Sequence, residues 1–376
     1  MIPASANPRS HSVTSSSDSR RNRCARKNSP PAWIKSPAFS SPSLIFGIRP
    51  LQYVGPYILS MNARVHIEES YMKPWRWVIA LPFMACGPTA VGRPVAHSSI
   101  RPDGSTISWY LDRQAGEAQQ PMLVLAQGSG CTSVTSNANI EVSKKLMPSA
   151  VIVTVEKYGV LEGDAPKAFP EDCRAAYTAH HTISQRVADY SQVIADLRKE
   201  AWWNGKLVLF GGSEGGAAIQ ILAAEVHPNA AVIFSSATGI PFREAFVRVL
   251  PPSEARTVPK HIAAIRKNPT STKTWLANSY LWWSDIMDRR LSDDALRATT
   301  TEFLVVQGQW DQSNPVISAR YFADNFRKAG RSNLTYWEFP DYDHTMIDRQ
   351  GQSHMTEVLS KISNWLNETL VRNRTR

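Results

Sequence analysis

Cysteine is scarce in these 376 residues, represented only by Cys24, Cys86, Cys131 and Cys173. No two of them stand in a C-x-x-C spacing, which excludes the thiolate metal sites of small zinc modules. Also lacking is any apolar stretch near the roughly 20 residues that a membrane-spanning helix requires. No internal repeat is apparent, which sets aside solenoids and propellers. Acidic residues are missing mainly from one end: residues 1–71 hold nine Lys and Arg against Asp18, Glu68 and Glu69. The formal charge of +10 therefore lies largely in that segment, and the remainder carries 33 basic against 29 acidic residues. A folded part so close to neutral offers no footprint for nucleic acid.

What is present begins with that basic segment. Residues 1–50 are dense in Ser, Pro and Arg and show no sustained apolar periodicity, so no packed core is expected there. The character changes at Met72-Lys73-Pro74-Trp75-Arg76-Trp77, where two positive charges precede an apolar run over residues 78–85 that ends at Cys86 and Gly87. A basic start, an apolar middle and small residues at the end describe a secretory signal. Phe83-Met84-Ala85-Cys86 also loosely resembles a bacterial lipobox, in which the cysteine is lipidated. The expectation is export, to the periplasm or to a membrane facing it through lipidated Cys86. On this reading Met72 or Met61 is the true start, and residues 1–71 are a mis-called extension. A disordered tail before a buried strand, or an Arg/Ser-rich transit peptide, fits the same text, and the first of these leaves the protein cytoplasmic. With Cys24 and Cys86 set aside, Cys131 and Cys173 remain, either as a disulfide in an oxidising compartment or as two buried thiols.

From about residue 97 the pattern becomes regular. Thr106-Ile107-Ser108-Trp109-Tyr110-Leu111 alternates as a half-buried antiparallel strand does. Short apolar runs follow at residues 122–126, 150–155, 206–210, 230–234 and 303–306, the kind of run that parallel strands covered on both faces carry. Val187, Tyr190, Ile194, Leu197 and Ala201 keep helical spacing, as do Val358, Ile362, Trp365 and Leu370. The alternation predicts an α/β class: a mostly parallel, doubly wound sheet flanked by helices. The stretch at about residues 240–300 reads as a helical insertion rich in aromatics, among them Phe242, Phe246, Trp275, Tyr280, Trp282 and Trp283. They are expected either to contact substrate beneath a cap or to pack the cap onto the body.

The chemistry concentrates at strand ends. Gly211-Gly212-Ser213-Glu214-Gly215 is a G-x-S-x-G between an apolar strand and a small-residue helix, the context of a nucleophile elbow. A serine hydroxyl needs a base, and the base needs an orienting acid. Asp311 follows the run ending at Val306, and His344 follows the alternating run 334–339, which gives the order Ser, acid, His. Asp343 is a second candidate to orient His344. Gln127-Gly128-Ser129-Gly130 after another strand offers Ser129 N–H, with Glu214 N–H, as an oxyanion hole; a plain Gly-rich turn is the alternative. His180, His181, His227, His261 and His354 read as surface or packing residues. Glu156 and Lys157 read as lining the site's mouth or as a solvated loop pair.

Gly-Gly-Ser-Glu-Gly-Gly, Gly-Gln-Trp-Asp and Asp-His at these positions resemble the α/β-hydrolase superfamily over about residues 97–370. The likeness is nearest to its bacterial esterase-like and prolyl-oligopeptidase-like branch. Gln127 departs from the His that many relatives carry before the oxyanion glycine. The resemblance implies ester, thioester or amide hydrolysis through an acyl-enzyme, on a small ester or short peptide, with no cofactor and no metal. An exopeptidase or amidase shares the triad. A binding protein on the same fold commonly loses a triad member, and all three positions are filled here.

Overall fold

The computed structural model describes residues 94–113, 119–167 and 172–372. The basic extension and the signal-like residues 72–86, with Cys86, lie outside them. The chain enters with β1 (Val95–Ile100) and β2 (Thr106–Asp112), then β3 (Gln120–Ala126), α1 (Ala138–Ser143) and β4 (Val151–Val155). Helices α2 (Ala175–His180) and α3 (Ile183–Leu197) precede β5 (Trp203–Gly212), α4 (Glu214–Val226) and β6 (Ala230–Phe234). The insertion holds α5 (Phe242–Val247), α6 (Pro252–Ala255), α7 (Val258–Lys267), the hairpin β7 (Thr274–Trp275) and β8 (Asn278–Ser279), α8 (Tyr280–Ile286) and α9 (Leu291–Ala295). The chain then returns as β9 (Glu302–Gly308), α10 (Val316–Lys328), β10 (Leu334–Phe339) and α11 (Met355–Arg372).

Eight strands form one sheet in the order β1-β2-β4-β3-β5-β6-β9-β10. β1, β2 and β4 pair antiparallel, and every pairing from β4 to β10 is parallel. The apolar runs are strands for the reason their composition suggests: successive side chains serve opposite faces. In β5, Leu207 and Leu209 join the core under α3 and α4, while Val208 and Phe210 join the core under α1 and α11. Leu123, Leu125, Leu304 and Val306 follow the second pattern, and Met122, Val124, Phe303 and Val305 the first. Each such side chain, taken fully from water, contributes about 1.5–3 kcal/mol.

The sheet order also fixes where a site can form. From β3 the chain crosses to β4 on one side, and β5 is laid down on the other. That reversal places a topological switch point at the carboxyl ends of β3 and β5, the position where open α/β sheets bind ligands. The loop Gln127–Cys131 and Ser213 emerge at those two ends.

The insertion packs on the face that carries α3 and α4. Its aromatic residues pack chiefly against one another: Phe242 lies edge-on to Trp282, Phe246 against Trp283 and Trp275, and Trp275 against Trp283. Tyr280, Trp282 and Trp283 are buried and belong to the core under α3 and α4, where they pack the insertion onto the body. Among the described residues no helix is long and apolar enough to cross a membrane.

Cys131 and Cys173 form a disulfide across 42 residues of sequence, resolving the two readings in favour of the pair. Val160 and Tyr177 pack with it as a small separate core. A cross-link closing a loop of that length stabilises by about 4 kcal/mol in the chain-entropy model. Cys173→Ser should therefore lower the free energy of unfolding by about 2–4 kcal/mol, read from urea midpoints at constant slope. An unchanged midpoint would show that the bridge contributes nothing.

Candidate active site

Ser213 sits between β5 and α4 with φ 53° and ψ −126°. A non-glycine residue there is strained by about 1–3 kcal/mol and persists only where its surroundings determine it. Those surroundings are explicit. Ser213 N–H donates to Phe234 O at 3.0 Å, and Ser213 O accepts from Ala217 N–H at 3.2 Å. The two motif glycines are required by close approach. A Cβ on Gly215 would lie 2.0 Å from Ala126 O, and one on Gly211 would lie 2.4 Å from Gly215 O. The turn is thus pressed against the end of β3. Although Ser213 stands at the N-cap of α4, its hydroxyl makes no capping bond, and the residue is half-buried.

Asp311 follows β9 and is buried. Its Oδ1 accepts backbone N–H bonds from Ser313 at 2.8 Å and Asn314 at 2.7 Å, and its Oδ2 accepts from Gln307 Nε2 at 3.0 Å. His344 Nδ1 meets both oxygens at 2.9 and 2.8 Å. The nitrogen facing a carboxylate carries the hydrogen, which leaves Nε2 as the basic atom. Asp343, the other candidate orienter, is engaged elsewhere. Its Oδ1 accepts from Thr345 N–H and Oγ1 and from Ile347 N–H. Burial pulls the His344 pKa down, but the charge of Asp311 and its hydrogen bond outweigh that, and the net shift is upward from 6.5.

Ser213, Asp311 and His344 therefore follow β5, β9 and β10, three parallel strands, at the same end of the sheet. The structure joins Asp311 to His344 directly. Among the described residues no hydrogen bond links Ser213 Oγ to His344.

The loop after β3 lies against the same turn, since a Cβ on Gly128 would stand 3.5 Å from Ser213 Cβ. Ser129 is exposed at its tip. Beneath it lies a charge cluster. Lys157 Nζ bonds Gly128 O at 2.6 Å, Gly130 O at 2.8 Å and Glu214 Oε1 at 2.8 Å. Arg186 Nη1 reaches the same Glu214 oxygen at 3.2 Å, and its Nη2 bonds Gln127 O at 2.6 Å. His181 Nε2 lies 3.1 Å from that oxygen too. Burial lowers the His181 pKa to about 4, so near neutral pH the ring is uncharged and its Nε2–H donates. Burial also lowers Lys157 to about 8 against the pull of Glu214. For Glu214, burial pushes the pKa up, but Lys157, then His181 and Arg186, bring it well below the ordinary value.

This corrects the readings of Glu156 and Lys157, which neither line the mouth nor stand in solvent. Lys157 is 1% exposed and Glu156 is 2% exposed. Glu156 accepts from Ser133 Oγ and Val134 N–H, and burial raises its pKa to about 7. His181 and Arg186 are likewise buried partners of the turn. Gln127 accepts from Asn137 Nδ2 at 3.1 Å through its side chain. The other histidines stay apart: His180 stacks on Tyr158, His261 on Trp275, and His354 on Tyr342, while His227 closes α4. No signal in the sequence marked Arg186 or joined Lys157 and His181 to Glu214, because that shared partner is 33 or more positions from two of them and 28 from the third. Among the described residues no group of three His, Cys, Asp or Glu is arranged to hold a metal ion.

No protein-family model matches the sequence, and no curated protein matches it. Solved structures match its backbone. Est1E from Butyrivibrio proteoclasticus, with ferulic acid bound, is similar at a TM-score of 0.52 and 16% identity, covering 73% of this chain and 100% of its own. The chain has the α/β-hydrolase fold. DcsB, in complex with its substrate analogue, shares this α/β-hydrolase architecture with a TM-score of 0.51 and 11% identity over 74% of this chain and 100% of its own. A mutant of puromycin hydrolase complexed with PGG gives 0.50 and 17% identity over 74% of this chain and 39% of its own. At such identities the likeness is one of fold.

The His344 assignment has a direct readout. Followed by NMR, the imidazole should titrate above 6.5 in the native protein. In Asp311→Asn it should titrate lower than in the native protein, because burial is then opposed by the charge of Asp343 without that of Asp311. The charged pair stabilises the fold fully below 6.5, and that stabilisation is lost as pH rises through the folded-state pKa. An unchanged titration in the variant would remove Asp311 as the partner.

Proposed function

We propose that this protein is a serine hydrolase that cleaves a small ester or thioester through an acyl-enzyme. Ser213 is the nucleophile, His344 the general base and acid, and Asp311 the group that orients the imidazole. The observation that carries this reading is the strained, uncapped Ser213 at the same sheet end as an imidazole held by a fully engaged carboxylate. His344 Nε2 takes the Ser213 proton as Oγ attacks the carbonyl carbon, and Asp311 stabilises the imidazolium. Ser129 N–H and Glu214 N–H bind the tetrahedral oxyanion, helped by the N-terminus of α4. His344 then returns the proton to the leaving oxygen or sulfur, and water repeats the sequence to release the acid.

A fluorophosphonate probe should label the native protein and fail to label Ser213→Ala; labelling that persists would reject the nucleophile. Asp311→Asn should lower kcat by about 10⁴-fold. Paired p-nitrophenyl ester and p-nitroanilide substrates separate esterase from amidase, and faster turnover of the anilide would replace the ester reading.

We further propose that the enzyme is exported and attached to a membrane through lipidated Cys86. The support is the basic-apolar-small segment before Cys86 together with the Cys131–Cys173 bridge, a bond typical of oxidising compartments. Mass spectrometry of the mature N-terminus should find a lipidated Cys86, and an intact Met1 would overturn export.

A further inference from the structure

The cluster beneath Ser213 brings together a buried ammonium, a buried guanidinium and a buried carboxylate. Ions removed from water are costly, and a packed apolar set of similar volume commonly stabilises a fold as well or better. What an apolar set lacks is the capacity to hold carbonyl oxygens. Lys157 and Arg186 hold three of them, Gln127 O, Gly128 O and Gly130 O, all in the loop that faces Ser213.

We propose that Lys157, with Arg186 and Glu214, is a positioning device that fixes both backbone donors of the oxyanion hole; this rests on the reading of Ser213 as the nucleophile. The peptide group is planar and trans, so a carbonyl and the N–H of the next residue point in opposite directions. Pulling Gly128 O toward Lys157 turns Ser129 N–H away from it. Holding Gln127 O on Arg186 does the same for Gly128 N–H. Gly128 stands against Ser213, with a Cβ position 3.5 Å from that of the serine. The second donor, Glu214 N–H, belongs to the residue whose carboxylate accepts from the same ammonium at 2.8 Å. One buried cation therefore grips the residues behind both donors. The loop needs such a grip because Gly128 and Gly130 give its peptides little steric resistance to flipping, and Gly130 already has φ +91°. A flipped Gly128–Ser129 peptide presents a carbonyl oxygen where the reaction needs a donor.

The test uses the full chain with a p-nitrophenyl ester and an aryl trifluoromethyl ketone. Ser213 Oγ adds to the ketone carbon, the ketone oxygen becomes an oxyanion, and the serine proton passes to His344. In Lys157→Met, kcat should fall about 10²-fold with KM within about threefold of native, and the ketone should bind weaker by a similar factor. Because that substitution leaves the buried Glu214 carboxylate with Arg186 and His181 alone, Lys157→Met/Glu214→Gln is made alongside it. The double variant takes the carboxylate from Arg186 as well, so its fold is checked by circular dichroism, and it should keep the loss in kcat. A folded double variant with kcat within about threefold of native overturns the proposal, since the donors would then be positioned without the Lys157 ammonium. Turnover retained in Ser213→Ala rejects the nucleophile itself. An inactive Ser213→Ala beside native-like Lys157 variants rejects only the positioning role.

Discussion

One carboxylate oxygen, Glu214 Oε1, receives side chains from three separate stretches: Lys157 after β4, His181 before α3 and Arg186 within α3. Inside a protein such contacts are stronger than in water, and an unmatched member is correspondingly costly. The cluster is held because nearly every charge has several partners: Lys157 has three acceptors, and Arg186 spans Glu214 and a main-chain carbonyl. Residue 214 is also the first of α4, so the same contact fixes the helix that begins behind the proposed nucleophile. The loop after β3, the helix start and α3 are thereby one electrostatic unit.

Around that unit the fold supplies rigidity from two directions. One core sits under α3, α4, α10 and the insertion, the other under α1 and α11. Ser213 is held in its unfavourable conformation by main-chain bonds on both sides and by contact of Gly215 with the end of β3. Strain of about 1–3 kcal/mol is sustainable only on such a frame. The reversal of strand order at β3 then sets this frame at a topological switch point, so topology and local strain select the same end of the sheet.

Much of this was legible in the sequence, for reasons visible in particular residues. Runs such as 122–126 and 230–234 are apolar on both faces because both faces are covered, and such runs announce parallel strands. Ser213, Asp311 and His344 were locatable because each follows a strand that was itself readable. β1 escaped notice because it is exposed at nearly every position, which leaves no alternation to read. The β7–β8 hairpin was hidden because Leu276 and Ala277 occupy positive φ values of 45° and 71°, without the Gly or Asn that usually marks such a turn. Lys157 and Arg186 were opaque for a deeper reason. A charged residue is ordinarily solvated, and its burial depends on partners that only the fold assembles.

The Cys131–Cys173 bridge has a topological consequence. It closes residues 131–173 into a covalent ring that contains α1, β4, Glu156 and Lys157. The ring begins at the residue immediately after Gly130, whose carbonyl Lys157 holds. A single backbone cut between Gly163 and Cys173 would leave two polypeptides still joined by sulfur, with Lys157 on the first and Arg186 and Ser213 on the second. The site loop would stay tethered across the break, and the nicked molecule would separate into two chains only after reduction.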